Sequence, residues 1–192
     1  KYTSVVVRQF DAYRTADTVV EADFRTEMRI AIYEPDIPQN LGAMIRLGAA
    51  LDVPLDVIEP CNFPFGGKQS RNKQVRRAGM DYLELVDLDM HSSWSAFETT
   101  RQTTNSRLVL LTTSGAVDYR DVTYQATDRL LVGSESSGVP GFVHDAADIR
   151  VCIPMNPPAR SLNVVNAAAM VLGEAQSQIR RQIRLSEENQ NE

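Results

Sequence analysis

Five short apolar runs punctuate the chain: "RIAIYEP" (29–35), "PLDVIEP" (54–60), "RLVLLTT" (107–113), "RLLVG" (129–133) and "DIRVCIP" (148–154). Several are apolar at consecutive positions, so a strand made from them needs cover on both faces. Stretches with helical spacing lie between them. Buried strands alternating with helices admit few solutions, and the one this pattern predicts is α/β, a mostly parallel sheet with helices on both faces. "YLELVDL" (82–88) reads as a further strand and "SSWSAFETTRQ" (92–102) as a helix.

The expected organisation is a single domain over residues 29–184, and 192 residues suffice for a sizeable core. Residues 1–28 carry mixed charge without a clean period and read as an extension outside that core, partly disordered. Residues 185–192 read as a frayed polar tail. In "DIPQNLGAMIRLGAALD", Asn40 suits the N-cap of a helix. The Gly/Pro loop "CNFPFGG" leads into a basic helix ending near Gly79. The last helix is expected over Leu162–Arg184, since Val164, Ala168, Val171, Leu172, Ala175, Ile179 and Ile183 recur at helical spacing.

Composition excludes several classes. No run is apolar and long enough to span a bilayer. The first residues lack an unbroken apolar stretch, so no secretory signal is expected. Cys61 and Cys152 are far apart and outside any CxxC pattern, as expected of reduced thiols in a cytoplasmic protein. A net charge of -5 argues against a general nucleic-acid coat. Yet Lys68, Arg71, Lys73, Arg76 and Arg77 cluster without an acid between them, and "IRRQIR" (179–184) forms a second basic run. Two such runs in an acidic chain point to a local anion site.

The chemistry-bearing patterns fail one after another. "GGKQS" lacks the Ser or Thr that a P-loop places after its lysine, and "GSESSG" does not match a dinucleotide fingerprint. His91 and His144 have no partner at ligand spacing and read as structural; no metal pattern survives, so no metal is expected. A chain with this inventory can still catalyse a reaction whose hard chemistry resides in a bound cosubstrate. Methyl transfer from S-adenosylmethionine is such a reaction, because aligning an already electrophilic sulfonium is largely an entropic task. In parallel sheets ligands bind beyond the carboxyl ends of strands, which directs attention to "LLTT", "LLVGSESSG" and "CIPMNPPARSLN".

Three segments in order carry a resemblance. Asn40-Leu-Gly42-Ala-Met-Ile-Arg46 resembles the first motif of SPOUT-class RNA methyltransferases. Gly133-Ser-Glu135-Ser-Ser-Gly138-Val-Pro140 resembles their second, and Ile153-Pro154-Met155 with Ser161-Leu162-Asn163 their third. With "EPDIPQNLG" and "RRAGMDY" the chain is similar to the tRNA (cytidine(34)-2'-O)-methyltransferase family over about residues 29–183. The resemblance implies a deep C-terminal trefoil knot, a cytoplasmic homodimer, and methylation of the tRNA wobble ribose. A ribosomal RNA 2'-O-methyltransferase and a non-catalytic RNA-binding module stay open as alternatives. By the same resemblance, Leu111, Thr112, Gly133, Glu135, Gly138, Ile153, Pro154, Met155, Ser161 and Leu162 line the S-adenosylmethionine site. Arg46, Asn40, Ser161 and Asn163 form the reacting centre. Lys68, Arg71, Arg76, Arg77 and Arg160 hold tRNA phosphates.

Taken alone, Arg46 reads as a structural ion pair to Glu34 or Asp36. Inside the motif it serves the ribose hydroxyl. A guanidinium with a pKa above about 12 is a poor base, and stabilising a developing alkoxide asks less of it. The loop "CNFPFGGKQSRNK" is a few residues longer than in compact members of the family, and residues 1–28 match none of its motifs.

Overall fold

The structure, a computed structural model, describes residues 27–114 and 117–190. The extension expected over residues 1–28 lies outside them apart from Glu27 and Met28, and Met28 is already buried in the core. Among the described residues the strands are β1 (Arg29–Tyr33), β2 (Leu55–Ile58), β3 (Leu88–His91), β4 (Leu108–Leu111), β5 (Val117–Asp118), β6 (Arg129–Val132) and β7 (Ile149–Cys152). The helices are α1 (Pro38–Leu51), α2 (Lys73–Gly79), α3 (Trp94–Thr103), α4 (Gly141–Ala146) and α5 (Val164–Gln190).

The strands form one sheet in the order β3-β2-β1-β6-β4-β7-β5, and every neighbouring pair is parallel. Period-two alternation divides the side chains. Ile30, Ile32, Val57, Val109, Leu130 and Val132 join Leu41, Met44 and Ile45 of α1 and Ala168, Val171 and Leu172 of α5 on one face. Ala31, Tyr33, Leu108, Leu110 and Leu131 meet Phe97 of α3 and Val143 of α4 on the other. Helices therefore cover both faces, as the doubly apolar strands require. Chain order reverses where β6 inserts between β1 and β4, which is where such sheets open a crevice.

Three elements differ from expectation. The strand expected over Tyr82–Leu88 is a tight 3-10 turn, Met80–Glu84, and the pairing segment is Leu88–His91. Leu83 and Val86 are buried three positions apart while Leu85 is 72% exposed, so the period is helical rather than two. α1 begins earlier than Asn40: Ile37 is the N-cap and Pro38 occupies the first helical position, where its missing N–H costs nothing. α5 starts after Leu162, because Asn163 Oδ1 accepts from the N–H groups of Val165 (2.9 Å) and Asn166 (3.4 Å). It continues through residues 185–190, which were expected to fray.

Gly42, the central glycine of the first motif, marks the crossing of α1 and α2. A Cβ there would stand 2.5 Å from the Val75 carbonyl oxygen and 2.7 Å from the Ala78 Cβ. The basic helix thus lies directly on the helix carrying Asn40 and Arg46.

A charged cluster is buried under the α3 face. Asp56 on β2 is fully buried and bonds Arg29 Nε (3.0 Å), His91 Nε2 (2.9 Å) and the guanidinium of Arg129. His91 also meets the edge of the Phe97 ring, and His144 pairs with Arg150 at 3.3 Å, so both histidines have structural work. Burial alone would raise the Asp56 pKa, but His91, Arg29 and Arg129 outweigh it and hold the carboxyl below its usual range. Asp56→Ala would leave two guanidinium groups beside an empty site. We expect it to cost about 3–5 kcal/mol of stability, read from the midpoint of urea unfolding. Because the folded-state pKa is depressed, the stabilisation is present above the ordinary aspartate value of about 4 and is lost as pH falls through the folded value. The variant should therefore show a shallower acid limb than the wild type. An unchanged midpoint and acid limb would contradict this role.

Candidate active site

The exits of β4, β6 and β7 converge on a single cavity of about 540 Å³, closed by the first turns of α1 and α5. β4 contributes Leu111 and Thr112; β6 contributes Gly133, Glu135 and Gly138. From the β7 exit come Ile153 and Met155, then Ser161, Leu162 and Asn163. Asn40 reaches in from α1. Pro154 and Arg160 are exposed on the same loop but lie outside the cavity wall. The sequence reading missed Val132, Val139, Ala167 and Val171, which supply apolar wall. Val171 was legible only through its helical spacing in the last helix.

Each loop has a local cause. The second folds back on itself: Ser134 N–H donates to Gly138 O (3.0 Å) and Gly138 N–H to Ser134 O (2.9 Å). A Cβ on Gly133 would stand 2.5 Å from the Gly138 carbonyl carbon, and Gly138 has φ +68°, which favours glycine. The two motif glycines thus permit a closed turn. The third loop is anchored at its far end by Asn163. That side chain caps α5 with its oxygen and donates from Nδ2 to Asn40 Oδ1 at 3.0 Å.

Asp36, which follows β1, is a further residue that sequence reasoning did not place in the site. Its Oδ1 accepts from Glu135 N–H (3.0 Å) and its Oδ2 from Ser136 N–H (3.1 Å). Contact with the Glu135 side chain and these backbone donors, against a smaller effect of burial, hold Asp36 down at about 2. Glu135 moves the other way: burial first, then contact with Asp36, raise it, partly offset by a hydrogen bond from Asn40.

Arg46 is not part of the cavity wall of its own chain. It is exposed on α1, six residues beyond Asn40 and so about 9 Å further along the axis. Its guanidinium lies 5.6 Å from the centroid of the Tyr82 ring. Among the described residues it makes no ion pair to Glu34 or Asp36; Asp36 is occupied by the second loop. Lys68, Arg71, Arg76 and Arg77 are all exposed in and before α2, and Arg76 also donates to Ser70 O at 3.3 Å.

Among the described residues no group of three His, Cys, Asp or Glu could hold a metal ion. The cavity wall is mixed: Leu111, Val132, Ile153, Leu162 and Val171 are apolar, and Asn40, Glu135, Ser161 and Asn163 are polar. It suits a ligand with a flat heterocycle and a small polar tail, and its volume lies within the range of sites for such molecules.

Residues 27–173 match the SpoU rRNA Methylase family, so the class is that of the SpoU methylases. A tRNA (cytidine(34)-2'-O)-methyltransferase of Beijerinckia indica subsp. indica is 52% identical over 150 residues, which are 78% of this chain and 91% of the relative. A solved structure described as giving insight into the 2-OH methylation of C/U34 on tRNA is 34% identical. It has a TM-score of 0.73, with 79% of this chain and 95% of that chain covered. An AdoMet-bound rRNA methyltransferase from Sinorhizobium meliloti is 25% identical with a TM-score of 0.71, covering 80% of this chain and 57% of that one. Within the SpoU methylases, this chain belongs to the tRNA (cytidine(34)-2'-O)-methyltransferase family.

Proposed function

We propose that the protein transfers a methyl group from S-adenosylmethionine to the ribose 2'-hydroxyl of the wobble nucleotide, position 34, of tRNA. The observation that carries this is the convergence of three strand exits, with Asn40 and Asn163 bonded to each other at the wall, in a chain of this family. Residues 29–184 make up the methyltransferase domain, and its last strand exits and α5 form the trefoil knot. No helix of the described residues is long and apolar enough to cross a membrane, and cytoplasmic tRNA is the substrate pool this reading requires.

Bound S-adenosylmethionine supplies an electrophilic methyl group on a sulfonium. The chain's own residues align it and handle the proton that leaves the ribose oxygen. The apolar wall of Leu111, Ile153 and Leu162 takes the adenine, and the turn at Gly133–Gly138 borders it. Asn40 and Asn163 hold each other in one orientation and present the reacting face together with Ser161. Arg46 stands outside its own cavity, so we assign its action to a homodimer in which Arg46 of the partner subunit reaches the ribose oxygen. Ile37, Leu162 and Met170 are each about 40% exposed on the elements that border the cavity, as expected of a surface a second copy would cover.

Lys68, Arg71, Arg76 and Arg77, with Arg160, contact anticodon-stem phosphates. Neutralising the first four should weaken tRNA binding, lower the salt slope of that binding by about one per lost contact, and leave S-adenosylmethionine affinity unchanged. Unaltered tRNA affinity would contradict the assignment. The name of the matched family makes ribosomal RNA the rival substrate. Mass spectrometry of RNA from a deletion strain separates the two. The expected result is loss of 2'-O-methylation at tRNA position 34; loss confined to ribosomal RNA would overturn the proposal.

A further inference from the structure

We propose that Tyr82 is the positioning residue for Arg46: the aromatic ring holds the guanidinium in place while leaving its N–H donors and its charge free for the ribose oxygen. This rests on the assignment of Arg46 to the methyl-transfer reaction.

The Arg46 guanidinium lies 5.6 Å from the centroid of the Tyr82 ring, within the range of a cation–π contact. Two other guanidinium groups lie over rings in the same way, Arg120 at 5.8 Å from Tyr119 and Arg129 at 5.7 Å from Phe97. Each of those is also bonded to a carboxylate, Arg120 to Asp118 and Arg129 to Asp56. Arg46 differs: among the described residues it has no ion pair. Asp81 and Glu84 stand exposed on either side of Tyr82 in the same turn, yet neither is paired with it. The difference has a chemical meaning. A carboxylate would fix the guanidinium by engaging part of its fork of donors and neutralising its charge. A ring attracts the cation through its negative face and engages no donor.

The platform under Arg46 is itself fixed. Gly79, which ends α2, closes on α1 one turn before Arg46: a Cβ there would stand 3.3 Å from Gly42 O and 3.7 Å from Ile45 Cγ2. The chain then winds through the 3-10 turn Met80–Glu84, where the N–H groups of Leu85 and Val86 both donate to Tyr82 O at 3.0 Å. Leu83 and Val86 are buried and pin that turn to the core. Tyr82, half-buried, packs against the same cluster. The ring therefore has one place relative to α1, and the guanidinium that rests on it has one place too. Without the ring a long, flexible side chain would search its rotamers in water, and the share of time spent within reach of the ribose oxygen would fall.

The test is a double-mutant cycle on kcat for methyl transfer to tRNA, with Tyr82→Leu, Arg46→Ala and the two combined, and Tyr82→Phe beside them. Tyr82→Phe keeps the ring and should stay within about twofold of wild type. Tyr82→Leu keeps an apolar side chain without the ring and should lower kcat about tenfold, while S-adenosylmethionine affinity stays within about twofold. In the Arg46→Ala background Tyr82→Leu should have no further effect on kcat, because there is no guanidinium left to place. An equal loss in both backgrounds would make Tyr82 a packing residue only and overturn the proposal. So would a Tyr82→Phe as slow as Tyr82→Leu, or a Tyr82→Leu with wild-type kcat. Calorimetric titration of S-adenosylmethionine shows whether each variant is folded; if Tyr82→Leu does not bind it, Tyr82→Met, with an adaptable side chain, takes its place in the cycle with the same expectations. A wild-type kcat for Arg46→Ala would instead sink the assignment of Arg46 to the reaction.

Discussion

Gly133→Ala should weaken S-adenosylmethionine binding by more than about a hundredfold. The added methyl group meets backbone, at 2.5 Å from the Gly138 carbonyl carbon and 2.7 Å from its Cα and oxygen. No rotamer relieves a contact between a Cβ and a main chain, so the turn must open. Opening breaks the two reciprocal hydrogen bonds between Ser134 and Gly138 and moves Glu135 away from Asp36. Two neutral hydrogen bonds and one charge-assisted one together amount to about 3 kcal/mol or more, hence the predicted factor. Global stability should fall less, since the loop is peripheral to both apolar clusters. Calorimetric titration checks it, and binding within threefold of wild type would contradict the geometry. Gly138→Ala should be milder, because that position is strained for alanine at φ +68° but has open space around it.

Arg46→Ala should leave S-adenosylmethionine affinity unchanged and lower kcat for methyl transfer by about 10²–10³. The first half follows from its place: the guanidinium lies against Tyr82, outside the cavity of its own chain. The second follows from the task assigned to it. Removing one donor from a developing oxyanion has that typical effect. Arg46→Lys should recover little, because an ammonium lacks the planar fork of donors. Mixing Arg46→Ala protomers with protomers disabled at Gly133 should restore up to a quarter of wild-type activity per subunit, since mixed dimers hold one intact composite site. No recovery on mixing would place Arg46 in its own chain's cavity after all.

The parts of this fold legible in the chain were those written locally. Doubly apolar runs such as "RLVLL" can only be covered strands, and their exits had to carry the site. Tyr82–Leu88 misled because Leu83, Leu85 and Val86 fit two periods in a short window, and only burial of the first and third chooses between them. Asn40 misled because Pro38 is itself a start signal, and it releases Asn40 from capping so that the side chain can bond Asn163 instead. Asp36 was invisible as a site residue. A lone acid at a strand exit has many uses, and its partners, Glu135 and Ser136, come close only when β6 inserts beside β1. Arg46 was legible as important through its motif, while its distance from its own cavity depends on helix phase and on a ring, Tyr82, in a segment read as the wrong element. α5 outran its expected end because helix propagation through polar residues leaves no apolar period to detect.

The most direct test is methyl transfer by the purified protein to unfractionated tRNA with methyl-labelled S-adenosylmethionine, followed by mapping of the labelled nucleotide. The account predicts label on the 2'-oxygen of nucleotide 34. Label on a base, at another position, or on ribosomal RNA alone would contradict it.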